Sequence, residues 1–287
     1  MEKIKEKSIK ELLEFGIINL NKPSGPTSFS VSEFVKKSLD LRKTSHFGTL
    51  DPKVTGVLPV ALNRACKLTG FFLGEDKEYV GIMRIHEEMS MKNIQKVIDK
   101  KFTGIIKQTP PVKSRVKRQE REREVKRFEL LEQSENGKDI VFIAEVEGGT
   151  YIRKLIDDLG SELGIGAHML ELRRIRAGIF KEHDKNYPCV SLYDFENAVE
   201  KHKNGNSKPL EKIIIPAEIV KEIYQEVQVK ALAVDDLLHG KTLKEEHIIK
   251  KPKLEKDEII TVMNENRFVG MFQITKEKYN FARSKFV

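Results

Sequence analysis

Apolar residues along the chain change their period repeatedly, and each change predicts a new element. Ile17 to Leu20 form a short apolar run that breaks at Pro23, Gly25 and Pro26, the pattern of a strand entering a turn. Val31, Phe34, Val35 and Leu39 then recur with helical period. Ser30-Val31-Ser32-Glu33 has capping-box spacing, which predicts that the helix starts there. Val57 to Leu62 reads as a buried strand, and Pro59 inside it argues for an edge or a bulge. Lys77 to Ile85 predicts another strand. Met91, Ile94, Val97, Ile98 and Phe102 share one face of a helix capped by Ser90 and ended near Gly104. Residues 125–131 and 139–147 alternate as a β pair about Glu135-Asn136-Gly137.

In the second half, Ile152, Leu155, Ile156, Leu159 and Leu163 make the apolar stripe of a helix that begins near Tyr151. Ser191 caps a further helix through Val199, and the polar stretch 201–212 reads as a linker. A short helix ends at His239-Gly240. Two β-like runs follow, 259–263 and 268–274, joined by Asn264-Glu265-Asn266. The first 15 residues read as an amphipathic helix with Ile4, Ile9, Leu12 and Leu13 on one side. Strands and helices do not alternate regularly, and hairpin signals are present. The expected class is therefore α+β with a largely antiparallel sheet and a domain boundary near residues 215–225.

Composition narrows the function classes. A chain of 287 residues, 39% hydrophobic and 33% charged, can build one large core or two smaller ones and is not of the disordered class. No apolar run approaches the roughly 20 residues that span a bilayer, and the charged N-terminus lacks a secretory h-region, so no membrane partner is expected. Cys66 and Cys189 stand far apart with no CxxC or Cys/His cluster. That argues against a zinc site or disulfide framework and for a reducing cytoplasm. With no P-loop and no G-x-G-x-x-G, no cofactor is expected. The net charge of +8 points to a polyanionic partner. Lys113 to Arg127 sharpens this: eight Lys or Arg and three Glu follow Thr109-Pro110-Pro111, as in a basic extended arm that tracks phosphates. Aromatics are only 7% with no Trp, so a surface of base-stacking platforms is not indicated.

The candidate chemistry centres on HFGTLDPKVTGVLPVAL, residues 46–62. Pro52 pushes Asp51 toward an extended conformation, Gly48 and Gly56 permit tight turns on both sides, and a buried strand follows. A carboxylate on a stiff loop beside a rigid scaffold suits catalysis; an Asx turn, in which Asp51 bonds its own backbone, is the alternative. Arg153 lies in the first turn of its helix and off the apolar stripe, where the helix dipole disfavours a cation by roughly 0.3–1 kcal/mol. Something anionic should approach it. A guanidinium held against a carboxylate fixes the rotamer and favours the charged form, as a nucleophile or electrostatic catalyst needs.

Several stretches in order carry a family resemblance: Asn21-Lys22-Pro23-Ser24-Gly25-Pro26-Thr27-Ser28, His46 to Pro52, Lys77-Glu78-Tyr79-Val80, Pro110 to Arg118, Gly149 to Arg153, and Leu172-Arg173-Arg174. Over roughly residues 15–180 the chain resembles the TruB-type pseudouridine synthases, and most the archaeal and eukaryotic dyskerin-like branch that works in box H/ACA ribonucleoproteins. The resemblance implies isomerisation of uridine to pseudouridine without cofactor or metal, with H/ACA guide RNA and small partner proteins, on rRNA and, as a second substrate, tRNA. The alternatives are a stand-alone enzyme for uridine 55 in the TΨC loop of tRNA and, from another class, a non-catalytic RNA scaffold.

By the same resemblance Asp51 is the catalytic aspartate, Arg153 its ion-pair partner, and Tyr79 the residue that stacks on the base. His46 fills space left by the flipped nucleotide, and Leu172 lines the pocket. Lys22 and Pro23 support the catalytic loop. Lys113, Arg115, Lys117 and Arg118 grip RNA. Without the resemblance, Tyr79 and Leu172 read equally as core residues and His46 as a satisfied loop histidine. The implied organisation is a catalytic domain over 1–215, with 1–15 as its helical extension, and a small, shortened PUA-like β-barrel over 216–287. Ala233 to Gly240 and the last two strands resemble that barrel, but its usual glycine-rich loop is missing.

Overall fold

In this computed structural model the described residues are 7–110, 119–275, 277 and 280–287. Helix α1 (Ile9–Glu14) precedes strand β1 (Gly16–Lys22). After it come β2 (Thr44–His46), β3 (Thr55–Leu62), β4 (Lys77–Ile85), β5 (Gly104–Gln108), β6 (Arg121–Gln133), β7 (Asp139–Val146), β8 (Ala167–Ala177), β9 (Phe180–Lys181) and β10 (Val190–Ser191). Strands β1 and β3 are buried along nearly their whole length, whereas β4 and β7 alternate buried and half-buried residues. That difference is the physical content of the two hydrophobic patterns. A strand covered on both faces reads as a continuous apolar run, and one with an open face reads with period two.

The chain divides into two compact units, Ile17–Ile214 and Met1–Gly16 together with Ile215–Val287. In the first, the main sheet runs β10-β1-β3-β8-β4-β7-β6-β5, with β2 beside β3 and β9 beside β8. The β1–β3, β4–β8, β4–β7, β6–β7 and β5–β6 pairs are antiparallel, and β1–β10 and β3–β8 are parallel. The unit's helices are α2 (Ser28–Ser38), α3 (Thr69–Leu73), α4 (Met91–Lys101), α5 (Ile152–Leu163), α6 (Leu192–Lys203) and α7 (Lys208–Ile213). α4 and α5 pack on each other, on β6 and on β8. Four of the five stripe residues of α5, Ile152, Leu155, Ile156 and Leu159, are buried. The α+β class and the largely antiparallel sheet are as expected.

Four local expectations need correction. α2 is capped by Thr27, whose Oγ1 accepts the Ser30 N–H at 2.9 Å, so the helix starts before the Ser30 capping-box pattern. Pro59 is on neither an edge nor a bulge. It pairs with Asn19 of β1 while its carbonyl, on the other side, accepts the Phe47 N–H at 3.0 Å. The missing proline N–H therefore falls in the gap where β3 has left β8 and is about to meet β2, and no ladder bond is lost. The stretch 201–212 is mostly helical, with α6 running to Lys203 and α7 starting at Lys208. Arg121 to Arg127 belong to β6 rather than to an extended arm, and several of their charges are met by acids: Lys126 by Asp76, and Arg127 by Glu78, each at 2.5 Å.

The second unit holds a five-stranded sheet. The chain enters through β11 (Ile214–Pro216) and forms β12 (Glu226–Val229), α8 (Ala231–Leu238), β13 (Ile248–Lys250), β14 (Ile259–Asn264), β15 (Arg267–Ile274) and β16 (Ala282–Phe286). The order is β13-β12-β14-β15-β16, around a core that includes Val227, Leu237, Val262 and Phe272. The N-terminal extension, expected on the first domain, belongs to this unit. The Ala217 N–H donates to the Phe15 carbonyl at 3.1 Å, and the Phe15 ring lies 4.9 Å from that of Phe268. A buried aromatic at the end of α1 decides where the helix docks.

One glycine is tied to the sheet's geometry. Gly56 has φ +102°, and a Cβ there would come within 2.1 Å of the Arg174 carbonyl on the neighbouring β8. Gly56→Ala is expected to destabilise the protein by about 3 kcal/mol or more in chemical denaturation followed by circular dichroism. A loss below about 0.5 kcal/mol, the usual range of a neutral surface change, would contradict the packing described.

Candidate active site

The loop between β2 and β3 is held at its backbone from two sides. Lys22, at the end of β1, is fully buried. Its Nζ donates to the carbonyls of Pro23 and Pro26 at 2.8 Å and of Pro52 at 2.9 Å. Pro52 O also accepts the Gly25 N–H at 2.9 Å. Ser28, in the first turn of α2, donates its hydroxyl to Leu50 O at 3.0 Å and accepts the Leu50 N–H at 2.8 Å. From the sheet, buried Arg174 donates Nε to Val57 O at 2.8 Å and Nη2 to Gly48 O at 3.1 Å. Asp51 O closes the turn by accepting the Val54 N–H at 3.0 Å. Residues 48, 50, 51, 52 and 57 thus each have a main-chain group fixed. Burial lowers the Lys22 ammonium from its usual range, opposed by the negative charge of Asp51.

Asp51 sits between these clamps with its side chain half exposed. Arg153 Nη2 donates to Asp51 Oδ2 at 2.5 Å, from a helix 102 positions away. The anion required at the α5 N-terminus is therefore Asp51, and the carboxylate does more than serve its own turn. The side chains are 60% and 51% exposed, so the pair is open to solvent and to a substrate. A pair that exposed contributes little to stability, with a typical value of about 0–1 kcal/mol, and its consequence is orientation.

Strand register places the remaining residues. Gly56 of β3 lies opposite Arg174 of β8, which lies opposite Tyr79 of β4; Gly81 lies opposite Leu172. Partners in register share a sheet face, so Tyr79, Leu172 and Arg174 form a patch on one face, and Arg174 reaches from it to the Asp51 loop. Tyr79 and Leu172 are each 8% exposed, which suits an apolar floor. His46 is in β2, with Nε2 3.2 Å from Thr49 Oγ1; burial, then the Arg174 charge, lowers its pKa. Pro23 turns the chain out of β1 and gives its carbonyl to Lys22. Lys113, Arg115, Lys117 and Arg118 lie outside the described residues.

Arg174, Ser28 and Lys77 stood inside motifs quoted from the sequence but were given no role of their own. The tandem Arg173-Arg174 held a signal, because neighbours in a strand face opposite sides and one of two adjacent arginines had to turn inward. Arg173 takes the other side, bonding Glu182, Asn21 Oδ1 at 3.0 Å and Thr55 Oγ1 at 3.2 Å. Buried Lys77 donates to Leu73 O at 2.7 Å and to the carbonyl of Glu75. Its Cε lies 3.8 Å from where a Cβ on Gly48 would be. Burial, reinforced by Arg174, brings Lys77 down to about 8. Among the described residues, no cluster of three or more His, Cys, Asp or Glu could hold a metal, and no helix is long and apolar enough to cross a membrane.

With this geometry in view, comparison with known proteins is specific. Residues 36–152 match the TruB family pseudouridylate synthase N-terminal domain, and residues 153–220 match the tRNA pseudouridylate synthase B C-terminal domain. A probable tRNA pseudouridine synthase B of Methanocaldococcus jannaschii is 45% identical over 236 residues, 82% of this chain and 68% of that protein. Its counterpart in Korarchaeum cryptofilum is 43% identical over 261 residues, 90% of this chain and 78% of that one. Among solved structures, a chain of a Cbf5-Nop10-Gar1 complex superposes with a TM-score of 0.88 at 38% identity, covering 98% of this chain and 87% of its own. A chain of an H/ACA RNP bound to a substrate RNA containing 2′-deoxyuridine gives 0.87 at 35%, covering 98% and 87%. The chain belongs to the TruB family of pseudouridine synthases, and is an isomerase by that membership.

Two measurements check this site. Arg153→Ala is expected to lower turnover by about 100-fold through loss of carboxylate orientation, yet to change unfolding free energy by less than about 1 kcal/mol. A large stability loss with normal turnover would make the pair structural. The second concerns Lys77. Its folded value of about 8 lies below the ordinary 10.5, so between these pH values unfolding takes up a proton. Stability should rise with pH from about 8 to about 10.5, as the cost of the buried charge is relieved, and the Lys77 contribution should be flat below about 8, where both states hold the proton. Lys77→Met is expected to remove this rise, read as the difference between wild-type and variant urea midpoints; identical pH profiles would contradict it.

Proposed function

We propose that this pseudouridine synthase is the catalytic subunit of an H/ACA-type guide-RNA particle, acting on rRNA and, as a second substrate, tRNA. The observation that carries the proposal is the similarity over 98% of the chain to subunits of H/ACA assemblies, at TM-scores of 0.87 and 0.88. Its partners would be a guide RNA and small proteins of the kind named with those relatives, Nop10 and Gar1. The unit Ile215–Val287 would serve as a shortened PUA-like RNA clamp.

In the reaction the N1–C1′ bond of uridine breaks, the uracil turns, and C5 joins C1′. The C5 proton is released and N1 takes one up, so atoms balance without a redox partner. Asp51 supplies the carboxylate at the sugar or base, and Arg153 fixes its rotamer. Tyr79 stacks on the uracil with Leu172 beside it, and His46 occupies the space the flipped nucleotide leaves. Extruding the base costs a few kcal/mol, which Lys113, Arg115, Lys117 and Arg118 offset by binding phosphates.

A second reading, a stand-alone enzyme for uridine 55 of the TΨC arm, is favoured by the tRNA pseudouridine synthase B names of the curated relatives. Pseudouridine mapping after carbodiimide treatment separates the two. The guided enzyme is expected to leave an unmodified tRNA transcript largely unchanged when alone and to modify a guide-paired uridine once guide RNA and partner proteins are added. Efficient modification of the TΨC uridine by the protein alone would favour the second reading. No modification under either condition would count against both.

A further inference from the structure

Gln108 ends β5, and only 3% of its surface is exposed. Its amide makes a reciprocal pair of bonds with the main chain of one distant residue. Nε2 donates to Tyr151 O at 3.2 Å, and Oε1 accepts the Tyr151 N–H at 3.0 Å. Tyr151 is the N-cap of α5, in an extended conformation, and its own side chain makes no capping bond. Its carbonyl also accepts the first helical bond, from the Leu155 N–H at 2.9 Å. Helices commonly fix their first turn with a Ser, Thr, Asp or Asn at the N-cap. Here a side chain from another strand clamps the N-cap residue instead.

Arg153 follows two positions later, so the direction of its guanidinium depends on where the first turn of α5 starts. The Asp51–Arg153 pair is too exposed to fix that start by itself. Gln108 is buried and bonds both groups of a single residue, which requires a side chain that can donate and accept at once, as a neutral amide does. The geometry points to Gln108 as a positioning residue: it sets the α5 N-terminus, through it the Arg153 guanidinium, and through that the Asp51 carboxylate. This rests on the reading of Asp51 and Arg153 as the working pair of a pseudouridine synthase.

The test is a double-mutant cycle with the full chain, under whichever condition above supports turnover by the wild type. Gln108→Met keeps the length and removes both bonds. Gln108→Glu keeps an acceptor for the Tyr151 N–H but sets a second acceptor against Tyr151 O. Each is expected to lower the single-turnover rate about tenfold to a hundredfold, with KM and RNA affinity within about twofold. In an Arg153→Lys background the same substitutions are expected to lower the rate by less than about twofold, because the route they act through is already impaired. An equal loss in both backgrounds, or a raised KM with an intact rate, would overturn the proposal.

A second readout does not depend on activity. The Arg153 Nη2–H NMR signal, held against exchange by the bond to Asp51 Oδ2, is expected to lose protection in Gln108→Met, and unchanged protection would also overturn the proposal. Absence of turnover by the wild type under every condition would count against the proposed function, while the NMR comparison would still decide the role of Gln108.

Discussion

Two buried cations hold the backbone of one loop. Lys22 and Arg174 are almost wholly removed from water, and the groups that meet them are main-chain carbonyls of the segments around Asp51. A buried cation is costly unless its donors are satisfied. Each carbonyl taken by Lys22 or Arg174 is therefore hard to release, and the loop can leave its position only by exposing those cations unpaired.

Stability and chemistry are divided between different residues. The clamps are buried, neutral on their accepting side and cut off from solvent. The Asp51–Arg153 pair is more than half exposed and adds little to folding. In the proposed role the Asp51 carboxylate meets an RNA, and a group with that role cannot be sealed in the core. Its supports can be: Lys22 of β1, Ser28 of α2 and Arg174 of β8 supply them, while α5 brings the guanidinium. The same sheet face carries Tyr79 and Leu172, so the proposed base-contacting residues and the loop's support share one sheet.

Much of this was legible in the chain because it follows local rules. The extents of β4, α4 and α5, the β6–β7 hairpin and the class of the sheet came from period and turn chemistry. The need for an anion near Arg153 came from the helix dipole. What escaped was set by partners distant in sequence. Pro59 looked like an edge signal, but whether its missing N–H matters depends on which strand lies beside it. Thr27 outcompeted the Ser30 pattern as a cap, and its placement frees Ser28 to bond Leu50. Polar residues at 201–212 looked like a linker although a helix resumes at Lys208. Arg174 stood in the Leu172-Arg173-Arg174 motif without a role of its own, and strand register turns it inward. The attachment of α1 to the C-terminal unit rests on an aromatic contact more than 250 positions away, which no local pattern records.

The most direct measurement is single-turnover pseudouridine formation by Asp51→Asn, paired with its RNA affinity and its thermal unfolding. Asparagine keeps the shape and removes the charge. If Asp51 is the working carboxylate on a loop held by other groups, product formation should fall by about a thousandfold or more, a loss of about 4 kcal/mol or more in transition-state stabilisation. RNA affinity and melting temperature should stay close to wild type. Retained turnover, or a variant that loses its fold along with its activity, would contradict that assignment.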